Sequence, residues 1–271
     1  HDEDVSPYIQ KKDISWITVD LTPEIMEISS IIKRFYENNL KKLAAIGFTK
    51  PVRIINKKDL LILQKQFQRE IGKGSKIAYY ALSLIAQLIK TEHALTLIET
   101  QSISALQNYL NKLKIDSTKA AKNILNSPEI KKVMELTSNL EKNNIKHPKM
   151  SKLIEILKKE ISQNETQKII VFATYRDVVA EITKELASSS IKAKRFVGQA
   201  DRQDKGLNQV EQQGIIDSFK NHEFNVLVAS SVAEEGLDLP EVAAVIFYEP
   251  IPSELRKIQR AGRTARTKPG K

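Results

Sequence analysis

The chain has 271 residues and no cysteine. Disulfides and thiolate metal sites are therefore excluded, which fits a cytoplasmic protein. Its four histidines, His1, His93, His147 and His222, fall at no metal-ligand spacing, and no metal site is expected. Aromatic residues make up only 6% of the chain, with Trp16 the single tryptophan, so the core must be mostly aliphatic. No unbroken apolar run reaches ~18 residues, so no membrane span and no membrane partner are expected. The opening stretch HDEDVSPYIQ is acidic and unlike a secretory leader. It begins with His1 rather than Met, which reads as a piece of a longer protein.

Positive charge is plentiful and uneven. The net charge is +10. Residues 1–20 carry 2 basic and 5 acidic groups, residues 21–150 carry 22 and 11, and residues 151–271 carry 19 and 17. The excess sits in the middle block. Such a block is either a polyanion-binding surface or a solvated, lysine-rich helical surface.

That block reads as helices. Residues 14–21, ISWITVDL, read as a short lead-in strand. Thr22, Pro23 and Gly47 then mark a helix with an N-cap, a first-turn proline and a stop. Ile25, Ile28, Ile32, Phe35, Leu43 and Ile46 recur at helical spacing. A second helix is expected from Asp59 to Ile71, ending at Gly72 and Gly74. A third is expected from Ser75 to about Leu113, with a break near His93. Ser127, Pro128 and Glu129 open another. The apolar stripes make a small helical bundle.

From about Lys146 the pattern changes. A helix from Met150 to Ser162 precedes the continuous apolar run KIIVFAT, Lys168 to Thr174. A helix follows from Arg176 to Ala187, then a strand from Lys192 to Gly198, and a helix from Asn208 to Phe219. The runs Phe224 to Ser230 and Val242 to Tyr248 read as two more strands, with a last helix from about Ser253. Uninterrupted Val/Ile/Leu strands alternating with amphipathic helices imply a parallel sheet covered on both faces. The expected organisation is a lead-in over 1–21, a basic helical insertion over 22–148 and an α/β lobe over 149–271. No internal repeat stands out.

In open α/β sheets ligands bind at the carboxyl ends of the strands. Three strand ends here carry polar text: Thr174-Tyr175-Arg176, the loop SSVAEEGLDLPEV from Ser230, and SELRKIQRAGRTAR from Ser253. Arg260, Arg263 and Arg266 are three apart, so a helix would place them on one side. Arginine suits phosphate because its planar fork donates two parallel hydrogen bonds. The alternative is a set of surface salt bridges to Glu234, Glu235, Asp238 or Glu254. The Gly236-Leu237-Asp238 turn favours a ligand, because glycine lets backbone approach closely.

The stretch SSVAEEGLDLPEVAAVIFYEPIPSELRKIQRAGRTAR resembles motifs V and VI of superfamily 2 helicases, in particular the archaeal Hef and Fanconi-anaemia M type. VFATYRD, from Val171, resembles motif IV, and GLNQVEQQGIIDSFKNHEFNVLVAS, from Gly206, resembles the stretch between them. The resemblance covers 168–268 and implies a RecA-like second lobe. The basic helical block resembles the family's thumb-like, DNA-contacting insertion by position, helicity and charge.

The resemblance implies roles. Arg263 and Arg266 would face the γ-phosphate of ATP as arginine fingers, and Gln259, Gly236 and Asp238 would lie against the nucleotide. Thr174, Tyr175, Arg176, Ser230 and Ser231 would hold the nucleic-acid backbone. Lys41, Lys42, Lys57, Lys58, Lys131 and Lys132 of the insertion would hold phosphates. Two positions depart from the family pattern: Ala265 stands where glycine is usual, and Ser230 where threonine is frequent.

No Walker A string, G-x-x-x-x-G-K-[ST], occurs in the chain. IGKGSK, from Ile71, has the wrong spacing and reads as a turn between helices. No DExH box follows a strand, and no ERK-type nuclease signature is present. The implied protein is an ATP-dependent DNA helicase or translocase acting on forked or branched DNA. Its ATP and Mg2+ would be held mainly by an N-terminal RecA-like lobe, which would be this chain's partner. Alone, the chain would be inactive as an ATPase. Two other readings stay open: an RNA helicase or RNA-sensing relative, and a non-enzymatic nucleic-acid-binding module.

Overall fold

The computed structural model describes residues 14–46, 57–72, 74–198, 206–230 and 239–250. Contacts divide the chain into two compact units, one from Leu21 to His147 and one from Pro148 onward together with the lead-in residues.

The first unit is helical. Helix α1 (Pro23–Ala45) starts where the Thr22 hydroxyl accepts from the Ile25 N–H at 3.4 Å, with Pro23 in the first turn. It buries Ile25, Ile28, Ile32, Phe35, Leu40 and Leu43. Gly47, the expected stop, lies outside the described residues. Helix α2 (Lys57–Ile71) begins two residues earlier than expected. It turns into α3 (Lys76–Thr100) through Gly74, whose φ of 83° is the left-handed conformation that glycine adopts without strain. Leu40 and Leu43 of α1, Leu60 and Leu63 of α2, and Ala81, Leu84, Ile85 and Leu88 of α3 form one core cluster.

Helix α3 is not broken at His93; it runs to Thr100, and the break falls at Gln101 and Ser102. Its polar β-branched residues are accommodated because the hydroxyls of Thr91, Thr96 and Thr100 donate to the carbonyls of Gln87, Glu92 and Thr96 at 2.7–3.0 Å. The break comes where the Ser102 hydroxyl caps a new helix, α4 (Ile103–Ile115), accepting from the Ala105 N–H at 3.0 Å. The His93 ring instead packs edge-on against Tyr109 of α4, centroids 4.7 Å apart. By length and composition α3 could cross a bilayer, yet its Ala81, Leu84, Ile85 and Leu88 stripe is core of the bundle. A short α5 (Lys119–Asn126), which the apolar pattern did not announce, precedes α6 (Pro128–Lys142). The Ser127 hydroxyl caps α6, accepting from Ile130 at 3.2 Å.

Residues 14–20 form no strand, contrary to the sequence expectation. Their β-branched side chains favour an extended backbone, but no described strand pairs with them, and Trp16 is 77% exposed.

The second unit alternates helix and strand: α7 (Pro148–Gln163), β1 (Ile169–Phe172), α8 (Arg176–Ser188), β2 (Ala193–Phe196), α9 (Gln209–Lys220), β3 (Val226–Ala229) and β4 (Ala244–Phe247). All pairings are parallel, in the order β2-β3-β1-β4. The central strands β1 and β3 are buried along their whole length, and they are the continuous apolar runs; the edge strands are half-covered. Ile170, Phe172, Phe196, Leu227 and Ala229 pack with Ile216 and Phe219 of α9 on one face. A capping box opens α9: the Asn208 side chain accepts from the Glu211 N–H, and Glu211 accepts from the Asn208 N–H.

Candidate functional site

The strands end level. Phe172 pairs with both Ala229 and Phe247, and Phe196 pairs with Ala229. The ladder continues one residue further: Ala173 N–H donates to Ala229, Ser230 N–H to Phe196, and Tyr248 N–H to Phe172, all at 2.9–3.0 Å. The chain's exits at Ser230, Ala173-Thr174 and Tyr248-Glu249 therefore sit side by side on one rim.

Thr174 and Glu249 meet there, although 75 residues apart. One Glu249 oxygen accepts from the Thr174 N–H at 3.0 Å and from the Thr174 hydroxyl at 3.1 Å. Glu249 is 7% exposed, whereas Thr174 is exposed. Tyr175 and Arg176 are half-buried, and Arg176 opens α8, with Tyr175 as its N-cap. Burial raises the Tyr175 hydroxyl pKa, and the Glu249 charge adds to it. Lys149, in the first turn of α7, lies 4.4 Å from the centroid of the Tyr248 ring, a cation–π contact. Burial lowers the Lys149 pKa, with the Glu249 charge pulling the other way. Burial likewise raises Tyr248, helped by Glu181 and Glu249. A buried carboxylate is tolerable when hydrogen bonds and a nearby cation offset its desolvation, and Thr174 and Lys149 supply both.

Ser230 is 4% exposed, and its N–H is held by the Phe196 carbonyl. Ser231, Gly236 and Asp238 lie outside the described residues, as do Gln259, Arg263, Arg266 and the other residues from 251 onward. Leu239 and Val242, just after that first stretch, are anchored in the sheet core. Among the described residues no three His, Cys, Asp or Glu side chains gather as for a metal ion.

The six lysines of the insertion are all exposed, but they do not make one patch. Lys132 pairs with Glu27, near the start of α1, at 3.1 Å. Lys41 and Lys42 are near the end of α1, where Lys42 donates to Asn39 at 3.5 Å. Fifteen residues of helix separate Glu27 from Lys42, roughly 22 Å. Lys57 and Lys58 begin α2, and Lys57 acts electrostatically on Glu92 and His93 of α3.

Sequence reasoning passed over Glu249, Lys149 and Tyr248. The signal was present for Glu249: an acid placed directly after an apolar strand run.

A parallel sheet with level exits, preceded in the chain by a separate helical bundle, defines a RecA-like lobe with a helical insertion. The chain matches the helicase conserved C-terminal domain over residues 148–268 and the helical bundle of ATP-dependent RNA helicases over 24–144. It belongs with the Hef-, FANCM- and Mph1-type helicases. The crystal structure of the Pyrococcus furiosus Hef helicase domain is 41% identical and superposes with a TM-score of 0.82, over 100% of this chain and 56% of that one. A Methanocaldococcus jannaschii protein named as an ATP-dependent RNA helicase is 38% identical over 100% of this chain. The ATP-dependent DNA helicase mph1 of Neurospora crassa is 29% identical over 98% of it. The chain spans 34% and 24% of those two relatives.

Proposed function

We propose that this chain is the second RecA-like lobe and insertion of an ATP-driven helicase or translocase that works on forked or branched DNA. The observation that most supports this is the level rim. It brings the strand exits at Thr174, Ser230 and Tyr248-Glu249 to one edge; Gly236 and Asp238 follow the second exit in sequence, and Gln259, Arg263 and Arg266 follow the third. An edge shared in this way is where nucleotide and nucleic acid would be sensed together.

In this reading ATP and Mg2+ are bound mainly by an N-terminal lobe. This chain contributes Gly236, Asp238 and Gln259 against the nucleotide and the Arg263 and Arg266 guanidinium groups against the γ-phosphate. A guanidinium there offsets charge that develops as the phosphoryl group is transferred. Thr174, Tyr175, Arg176, Ser230 and Ser231 hold one strand, and the insertion's lysines hold phosphates of the duplex.

Arg263→Ala or Arg266→Ala in the full-length protein should lower DNA-stimulated ATP turnover by about 10³ or more, with DNA affinity nearly unchanged. Turnover within a few-fold of the unaltered protein would refute the finger assignment. The present chain alone should show no turnover, since it has no Walker A loop. The name carried by the M. jannaschii relative favours a second reading, an RNA helicase. Competition between forked DNA and duplex RNA for the chain decides between them.

A further inference from the structure

The chain is poor in aromatics, and most of those described are buried or half-buried. Tyr79 and Tyr80 are exceptions. They are 63% and 50% exposed, and Ile77 beside them is 61% exposed. All three lie in the first turns of α3, where Ala78 and Ala81 face the core. Tyr80 shares a helix face with Ile77 and Lys76, three and four residues before it, and Tyr79 is about 100° round the helix.

The surroundings are cationic. Arg69, exposed, is in the last turn of α2, and Lys76, also exposed, opens α3 after the turn. The Gly74 N–H donates to Ile71 and the Ser75 N–H to Glu70, which holds those two helix ends together. Helix α1 runs antiparallel to α3. Ser29 and Lys33 meet Glu99 at one end, while Leu40 and Leu43 join Ala81 and Leu84 in the core cluster at the other. Lys41 and Lys42 therefore belong to the same end of the bundle as the two tyrosines. Between residues 69 and 80 the sequence has three cations and one acid.

We propose that this end of the bundle is a stacking platform for unpaired bases of DNA at a fork. Tyr79 and Tyr80 supply the rings, and Lys41, Lys42, Arg69 and Lys76 meet the flanking phosphates. This rests on the branched-DNA reading and adds to it Tyr79, Tyr80, Arg69 and Lys76 and the part of the fork they read. Exposed rings set among cations match a strand that offers flat apolar bases and anionic phosphates together. A second copy of the chain fits badly, because two such ends would repel each other.

The test uses the chain as it stands, with forked DNA carrying 2-aminopurine at the first unpaired position and a fully paired duplex of equal length. Tyr79→Ala combined with Tyr80→Ala should weaken fork binding about tenfold or more and abolish the stacking-induced quenching of 2-aminopurine. Duplex affinity should stay within about twofold of the unaltered chain, since the phosphate contacts that dominate it remain. The corresponding double phenylalanine variant should keep both fork affinity and quenching. Both tyrosines are exposed, so circular dichroism should be unchanged. Fork binding unaffected by the alanine pair overturns the proposal. So does an equal loss on fork and duplex, or a dimer in sedimentation equilibrium that the alanine pair dissociates. If no form of the chain binds any DNA at about 50 mM salt, the branched-DNA reading falls as well. Intact duplex binding with an alanine-insensitive fork overturns the platform alone.

Discussion

At Glu249 one carboxylate oxygen holds both the N–H and the hydroxyl of Thr174. Replacing Glu249 with alanine leaves a part-buried donor and Lys149 without that charge nearby. Loss of about 1–3 kcal/mol in chemical denaturation is expected, the scale of a buried group deprived of its partner. Glu249→Gln should cost less, because an amide oxygen still accepts. A stability unchanged by the alanine substitution would show that the rim does not depend on this contact. Tyr36 provides a test by pH. Burial raises its hydroxyl pKa from 10.0 to about 12, with the Glu92 charge as the second cause. Below pH 10 both folded and unfolded chains keep that proton. Between about 10 and about 12 the unfolded chain releases it first, so stability falls across that window. Tyr36→Phe removes this contribution. The variant should lose less stability between pH 9 and 11 than the unaltered chain in parallel denaturant titrations, and equal losses would contradict the assignment.

Individual elements were legible where the information is local. Thr22, Ser127 and Asn208 each cap a helix through a donor three residues on, and each was readable as a start signal. Asn208→Ala should cost about 1 kcal/mol, and adding Glu211→Ala should cost less than a second full increment because the capping box is reciprocal. Thermal unfolding of the single and double variants measures this. The break in the third helix was misplaced because it depends on a choice between two local signals. A break was expected near His93, but hydroxyl-to-carbonyl bonds and the Tyr109 ring accommodate that stretch within one helix, and the Ser102 cap sets the break. The lead-in stretch failed as a strand for the opposite reason: its β-branched residues favour a strand, but a ladder also needs a neighbour.

Over the whole molecule, charge was legible as an amount and not as a shape. The excess does sit in the helical unit, yet Lys131 and Lys132 lie toward one end of α1 and Lys41 and Lys42 toward the other. If DNA follows the end that carries Tyr79 and Tyr80, Lys41→Ala with Lys42→Ala should reduce the slope of log affinity against log salt by about 0.9 for each phosphate no longer neutralised. Lys131→Ala with Lys132→Ala should change it less, and Lys132 also has Glu27 to satisfy it. Equal effects from the two pairs, measured by fluorescence anisotropy over a salt series, would mean that the duplex runs along the bundle instead.

The sequence alone determined the alternation of helices and strands in the second unit, the parallel character of its sheet and the family resemblance. Caps, apolar periods and strand runs are written within a few residues of each other, and a motif is a string. Only the tertiary structure decided the strand order β2-β3-β1-β4, the contact between Thr174 and Glu249, and the separation of the lysines. Those depend on which distant segments share a register and on which way each helix runs, and both are set by burial of the whole apolar surface at once rather than by any one segment's preference.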